Sequence, residues 1–217
     1  MVANPIPHQR PYGRDELLAD AIIHGGGIIA ALAGGAYVLA HAQHTGGGKV
    51  AALVLYLVAL VSMLGFSAAY NFTPASPAKW ILRRFDHSAI YIMIAGTYTP
   101  LLMQLPSAAL ASALAAIVWG GALAGVIMKV LLPGRFDNLA IGIYLALGWV
   151  GIFAAKSFLG VLPLITMVLI AVGGFFYSAG VPFYLWERLK YQNAIWHAFV
   201  VTAAACQFTG IAWLYLG

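Results

Sequence analysis

Polar side chains that could do chemistry stand near the ends of otherwise apolar segments. Ser67 and Asn71 are four residues apart, Asn193 and His197 are four residues apart, and Asp86 heads a long apolar stretch. Side chains at this spacing share one face of a helix. An acid inside a membrane is costly unless it has partners. If helix packing brings these five groups together, they could orient metal ligands, handle a proton or form a hydrogen-bonded network.

A second polar stripe opens the first apolar segment. Glu16, Asp20 and His24 recur every four residues, which places them along one helical face. Glu16 and Asp20 could instead be helix-start acids favoured by the macrodipole. His24 could simply join helices by hydrogen bonds, and so could His197.

Two residues of the first group also have simpler structural explanations. Asp86 could cap a helix or pair with Arg83 or Arg84. Ser67 could donate a hydrogen bond to the carbonyl one turn back in its own helix. These alternatives remain open at the level of the sequence.

The composition indicates an integral membrane protein. Of the 217 residues, 63% are hydrophobic and 8% are charged, and the mean hydropathy is +0.91. Soluble domains have roughly 45–50% apolar and 25% charged residues. The single cysteine, Cys206, lies in an apolar run and has no mate for an intrachain disulfide, so we expect it to serve in packing.

The apolar segments predict an all-α, seven-transmembrane helix bundle. A helix needs about 20 apolar residues to cross the hydrocarbon core. The predicted spans are 17–42, 50–71, 87–105, 108–129, 138–156, 161–185 and 193–215. Residues 1–16 are expected to form a short cytoplasmic segment that lacks the apolar core of a cleavable signal, and residues 17–217 a single transmembrane domain.

The basic residues predict the orientation. With seven spans, one side holds Arg10, Arg14, Lys79, Arg83, Arg84, Lys129, Arg135, Arg188 and Lys190, and the other holds Lys49 and Lys156. The positive-inside rule then places the N-terminus in the cytoplasm and the C-terminus outside. The net charge of +5 needs no nucleic acid partner, and membrane lipids are the expected partners. All the polar positions named above then lie near the cytoplasmic leaflet of the cell membrane.

The spacing of the polar residues suits a metal site, but their chemical types do not. Two His four residues apart, with a third from another helix, form a three-ligand zinc site that leaves one position for water. A nearby Ser and Asp would orient ligands or take a proton from that water. Such a site could hydrolyse an amide or ester of a membrane lipid.

Several blocks of the chain resemble the hemolysin III family. They are FDHSAIYIMIAGTYTP, NAIWHAFV, the Ser67-x-x-x-Asn71 end of span two and the Glu16 to His24 start of span one. That family belongs to the wider progestin and adipoQ receptor group, which is related to alkaline ceramidases. The resemblance covers nearly the whole chain and implies the same seven-span topology with the N-terminus inside.

The resemblance also implies a zinc site that this chain has largely lost. The family pattern has Ser-x-x-x-His closing span two, an Asp opening span three and His-x-x-x-His opening span seven, and the three His bind zinc. Here the first two ligand positions are Asn71 and Asn193, and only His197 keeps its imidazole. A further family His is similarly replaced by Gln207. Neutral amides are poor zinc donors, so we expect zinc to bind weakly or not at all and no cofactor to be needed.

Three kinds of function follow as expectations. The first is a sensor or regulator of membrane lipid state, which would use a polar pocket formed by Glu16, Asp20, His24, Ser67, Asn71, Asp86, Asn193 and His197. The second is a pore or cytolysin, as the family name suggests, although a conducting path would need polar residues along the whole bundle. The third is a lipid amide hydrolase with Ser67 and Asp86 as catalytic residues, against which the degenerate zinc site argues.

Overall fold

A computed structural model describes residues 12–217, apart from the side chain of Gln43, and it is helical without any β-strand over that range. The helices are α1 (Arg14–His41), α2 (Gly47–Phe72), α3 (Pro77–Leu102), α4 (Ala108–Leu131), α5 (Asp137–Trp149), α6 (Ala155–Leu159), α7 (Leu164–Leu185) and α8 (Gln192–Leu216). Short 3₁₀ segments occupy Ala42–Thr45 and Val150–Ala154. Residues 1–11 of the predicted N-terminal segment 1–16, Arg10 among them, lie outside the described residues. Helix α1 already begins at Arg14, so the first span starts three residues earlier than predicted.

The predicted all-helical membrane class is confirmed. Within residues 12–217, six segments are long and apolar enough to cross a membrane: α1, α2, α4, the stretch Asp137–Leu159, α7 and α8. Helix α3 has 26 residues but is not among the six, because Lys79, Arg83, Arg84, Asp86 and His87 occupy its first half. The predicted third span, 87–105, corresponds to α3, so the count of seven spans stays a prediction.

The two faces of helix α1 are those of a helix surrounded by lipid. It buries Glu16, Asp20 and His24, whereas Leu18 and Ile22 on the opposite face are 62% and 66% exposed. A helix in water has the reverse arrangement. The polar face of α1 is therefore its inner face, and its aliphatic face suits contact with lipid.

Helix α3 begins ten residues earlier than predicted, and this moves Asp86 away from a helix start. The predicted third span began at residue 87, but α3 begins at Pro77. The hydroxyl of Ser76 accepts a hydrogen bond from the Lys79 amide at 3.3 Å, and proline suits the first helical position. Asp86 thus lies in the third turn. It does not cap the helix, and Arg83 pairs with Asp137 on α5 instead, at 2.8 Å.

The predicted fifth span is broken near its middle. Helix α5 ends at Trp149, and a 3₁₀ segment precedes α6. The Tyr98 hydroxyl donates to the Gly148 carbonyl and accepts from the Gly151 amide, both at 2.7 Å. A side chain that inserts into the helical hydrogen-bond ladder interrupts it. Tyr98 therefore fixes the point at which this segment changes direction.

Close helix contacts bring the polar ends together. Helix α1 packs against both α2 and α8, and α3 packs between α2 and α4. A Cβ atom added to Gly27 of α1 would lie 3.0 Å from Val201 Cγ2 of α8, so a small residue is needed there. Because α1, α3 and α8 begin at the end of the bundle where α2 finishes, their polar residues share that end.

Candidate functional site

Six polar side chains form one hydrogen-bonded group, here called the polar cluster. Its members come from α1, α2 and α8, and they are Asp20, His24, Ser67, Asn71, Asn193 and His197. The sequence singled out all six from their spacing within each helix. The structure adds which atoms contact one another across helices.

Asp20 lies at the centre of the polar cluster. One carboxylate oxygen, Oδ1, accepts from His197 Nδ1 at 2.6 Å and lies 3.4 Å from His24 Nδ1. The other oxygen, Oδ2, accepts from Asn193 Nδ2 at 3.0 Å. Asp20 is only 1% exposed, so these contacts replace the water that a carboxylate would otherwise need.

The hydroxyl of Ser67 lies between two imidazoles. Its Oγ is 3.1 Å from His24 Nε2 and 3.3 Å from His197 Nε2. The two rings meet edge to face, with centroids 4.3 Å apart. The hydroxyls of Thr97 and Thr99 donate to carbonyls four residues earlier, as is common in membrane helices, whereas the hydrogen bonds of Ser67 reach neighbouring helices.

Asn71 and Asn193 bond to each other. Asn193 Nδ2 donates to Asn71 Oδ1 at 2.9 Å. Asn71 Nδ2 donates to the Ser67 carbonyl at 2.9 Å and lies 3.4 Å from Ser67 Oγ. The two amides therefore fill the predicted metal-ligand positions with hydrogen bonds.

These contacts do not fit a zinc ion at the predicted ligand positions, which are Asn71, Asn193 and His197. Asp20, His24 and His197 do offer three ligand atoms within 4.8 Å of one another. However, tetrahedral zinc with bonds of 2.0–2.1 Å separates its ligand atoms by about 3.3 Å, and the 2.6 Å between Asp20 and His197 is the length of a charge-assisted hydrogen bond. The arrangement is that of a hydrogen-bonded network.

A cavity of about 330 Å³ adjoins the polar cluster. At the polar end its wall includes His24, Ser67, Asn71, Asp86, Asn193 and His197, and at the other end it reaches Leu101, Phe158 and Leu162. Gln207 lines it between these ends, as does Tyr177. The Tyr177 hydroxyl is buried and has no hydrogen-bond partner among the residues described. The space is polar at one end and mainly apolar beyond it.

Two of the eight predicted pocket residues do not reach the cavity wall. Asp20 stands behind the imidazoles, because its carboxylate faces His197 and Asn193. Glu16, one turn earlier, accepts from the Tyr191 amide at 2.7 Å and from the Gly13 amide at 2.9 Å. These bonds hold the start of α8 against the start of α1. Glu16 is therefore a link between helix ends.

Asp86 lies on the cavity wall beside the polar cluster. Its carboxyl group interacts with the Ser67 hydroxyl, and one of its oxygens is 3.9 Å from His87 Nε2. Asp86 therefore reaches the cavity wall from α3, next to Ser67 of α2.

Sequence reasoning missed a second charged group. Lys129 is 1% exposed, and its Nζ lies 2.5 Å from Asp137 Oδ1, while Arg83 contacts Oδ2 of the same carboxylate. From the sequence alone, Lys129 and Arg83 were counted as loop residues that set the membrane topology. Asp137, as the single acid between the predicted spans 108–129 and 138–156, could have indicated a pairing partner.

The helices and the site define a multi-pass helical membrane protein with a buried polar network beside an amphiphilic cavity. Residues 15–208 match the family model described as "Haemolysin-III related". A "Hemolysin-3 homolog" of Bacillus subtilis (strain 168) is 34% identical over 194 residues, which cover 89% of this chain and 91% of that relative. The "Hemolysin-3" of Bacillus cereus is 35% identical over 194 residues, covering 89% of each chain. The chain therefore belongs to the hemolysin III family, as its sequence blocks predicted.

A weaker similarity extends to a human protein. The human "Monocyte to macrophage differentiation factor" is 32% identical over 132 residues, which cover 60% of this chain and 54% of that protein. No solved structure matches the chain.

Proposed function

We propose that this protein binds a membrane lipid in the cavity and acts as a sensor or regulator of membrane lipid state. The cavity itself carries the proposal: about 330 Å³ of space has hydrogen-bonding groups at one end and Leu101, Phe158 and Leu162 at the other. Lipids have a polar head and an apolar tail, and pockets of roughly 300–1,000 Å³ are typical of small ligands. The head would contact Asp86 and the polar cluster, and the tail would lie between α3, α5, α7 and α8.

The proposed site faces the cytoplasmic leaflet of the cell membrane. This placement requires seven spans, with α3 crossing the membrane, the N-terminus in the cytoplasm and the C-terminus outside. The packing of α3 between α2 and α4 supports it. So does the concentration of basic residues on one side, since positive charges favour cytoplasmic loops. A partly buried ion pair between Arg83 and Asp137 lets the start of α3 enter the bundle.

Zinc has no necessary part in this function. The amide pair Asn71–Asn193 and the short Asp20–His197 contact support a site held together by hydrogen bonds. Lipid binding is then expected to persist after treatment with a chelator.

Pore formation is less consistent with the cavity. A water-filled conducting path needs polar groups along its length, whereas the end near Leu101, Phe158 and Leu162 is apolar. Purified protein in liposomes is expected to release no trapped dye. Dye release at a rate that depends on protein concentration would favour the pore.

A pair of adjacent substitutions tests lipid binding. Met167 lines the cavity, so Met167→Trp fills part of it, whereas Val168 is 46% exposed and does not line it, so Val168→Trp is the matched control. Native mass spectrometry of protein released from membranes should show bound lipid in the wild type and in Val168→Trp, and at least about tenfold less in Met167→Trp. Equal occupancy in all three proteins would overturn the proposal.

A further inference from the structure

We infer that Ser67, His197 and Asp20 form a nucleophilic triad that accepts the acyl group of an ester-linked membrane lipid. The inference rests on the proposed function, because the lipid must first occupy the cavity. The geometry is Ser67 Oγ to His197 Nε2 at 3.3 Å and His197 Nδ1 to Asp20 Oδ1 at 2.6 Å. A nucleophile, a base and a carboxylate that orients the base are what serine-based acyl transfer needs.

The hydrogen-bond partners of His197 fix which ring nitrogen carries the proton. Asp20 Oδ1 is a carboxylate oxygen and only accepts, so His197 Nδ1 must donate to it. In the neutral ring Nε2 then has a free lone pair, and this lone pair faces the Ser67 hydroxyl. His197 is therefore in the tautomer that can remove the hydroxyl proton.

A second imidazole strengthens the polarisation of Ser67. His24 Nδ1 lies 3.0 Å from the Asp20 carbonyl oxygen, which only accepts, so this nitrogen also carries a proton. His24 Nε2 then points its lone pair at Ser67 Oγ from 3.1 Å. The Ser67 hydroxyl therefore faces two accepting nitrogens, in addition to the Asp86 carboxyl group. His197 is the better base, because its Nδ1 faces a carboxylate that stabilises the imidazolium.

In a nucleophilic triad the nucleophile and the base face the substrate and the carboxylate lies behind the base, and the three residues have this arrangement relative to the cavity. Ser67 and His197 line its wall, whereas Asp20 stands behind His197, away from the space a lipid would fill. Asn71 Nδ2, 3.4 Å from Ser67 Oγ, is a hydrogen-bond donor beside the place where an oxyanion would form. A preorganised donor at that place stabilises the tetrahedral intermediate.

The chemical step balances without a metal or a redox partner. Ser67 Oγ bonds to the ester carbonyl carbon as His197 Nε2 takes the hydroxyl proton. The ester C–O bond breaks, and the leaving alkoxide receives that proton as an alcohol. Water then attacks the acyl-serine and gives its proton to His197, which returns it to Ser67 as the carboxylic acid departs.

A covalent probe tests the triad directly. A long-chain alkyl fluorophosphonate, added to the full-length protein in lipid nanodiscs, should form a phosphorus–oxygen bond with Ser67 and release fluoride. Peptide mass spectrometry locates the adduct in the wild-type protein, so the result does not depend on the folding of a variant. Ser178 is the internal control: it lines the same cavity, but its hydroxyl donates to the Gly174 carbonyl at 2.9 Å and accepts from Trp149 Nε1.

We expect an adduct at Ser67 and none at Ser178. Asp20→Asn should slow labelling by at least about 100-fold, because the wrong tautomer of His197 is then favoured, and Asp20→Glu should restore part of the rate. No adduct at Ser67, or equal labelling of Ser178, would overturn the triad. If lipid occupancy stays sensitive to Met167→Trp in that case, the proposed function stands, whereas loss of that sensitivity would remove both.

Discussion

The Asp20 carboxylate contacts the His197 imidazole at 2.6 Å, although 177 positions separate the two residues in the chain. This contact joins α1 to α8 inside the bundle. It also sets the protonated nitrogen of His197 and leaves the other nitrogen facing Ser67. One hydrogen bond therefore connects the packing of two helices with the chemistry of the polar cluster.

Removal of the Asp20 side chain should destabilise the bundle. Asp20→Ala leaves the His197 and Asn193 donors without their buried acceptor, and each unsatisfied buried donor costs roughly 1–3 kcal/mol. The unfolding midpoint in detergent should fall clearly relative to the wild type. Asp15→Ala is the control, since Asp15 pairs with Lys190 at an exposed position and its loss should change stability little. Equal midpoints for the two variants would contradict a central role for Asp20.

Zinc content should be low in the wild type and should rise when the imidazoles are restored. After a mild chelator wash, elemental analysis is expected to find far less than one zinc per wild-type chain. Asn71→His together with Asn193→His supplies three imidazoles with His197, and zinc affinity should rise by orders of magnitude. Asn138→His, at an exposed position at the start of α5, controls for added histidine. Stoichiometric zinc in the washed wild type would contradict this prediction and would point to Asp20, His24 and His197, which offer three ligand atoms within 4.8 Å of one another.

Single cysteines should reveal the orientation of the chain in the membrane and whether α3 crosses it. In a Cys206→Ala background, Gly47→Cys and Pro106→Cys should react with a membrane-impermeant maleimide on intact cells, and Ala75→Cys should react only after the cells are opened. The last two positions flank α3. The same accessibility for both would show that α3 does not cross the membrane.

The break after α5 should depend on the Tyr98 hydroxyl. Tyr98→Phe leaves the Gly151 amide without its acceptor, and an unsatisfied buried donor costs roughly 1–3 kcal/mol. Hydrogen exchange at Gly151 should become faster, and thermal stability should fall. Tyr37→Phe, which changes a largely exposed tyrosine, should alter neither quantity. Unchanged exchange at Gly151 would mean that another group holds the break.

Helical periodicity predicted the faces of the site but not its pairings. The four-residue spacings of Ser67 with Asn71, and of Asn193 with His197, placed each pair on one face because the α-helix repeats every 3.6 residues. The Asp20–His197 contact depends on how α1 packs against α8, and no local pattern encodes that. Glu16 shares the stripe of Asp20, yet it bonds to the start of α8, because the stripe extends one turn beyond the polar cluster.

The boundaries of two helices also needed more than local patterns. The charges at Lys79, Arg83 and Arg84 suggested a loop, but the Ser76 cap and Pro77 start α3 there, and Asp137 on another helix compensates Arg83. The break near Val150 depends on Tyr98, about 50 positions away in the chain. At α3 the start signal was local, and the distant Asp137 compensates the charge of Arg83; at Val150 the break itself depends on a distant partner.

The polar cluster takes its residues from α1, α2 and α8, and this has a consequence for biosynthesis. As the chain emerges from the ribosome, Asp20, His24 and Ser67 enter the membrane long before His197. Until α8 arrives, the Asp20 carboxylate is without its closest partner, and Glu16 has no Tyr191 amide to hold. Insertion of the final helix therefore both closes the bundle and completes the site, so a chain truncated before α8 would expose an unsatisfied acid to quality control.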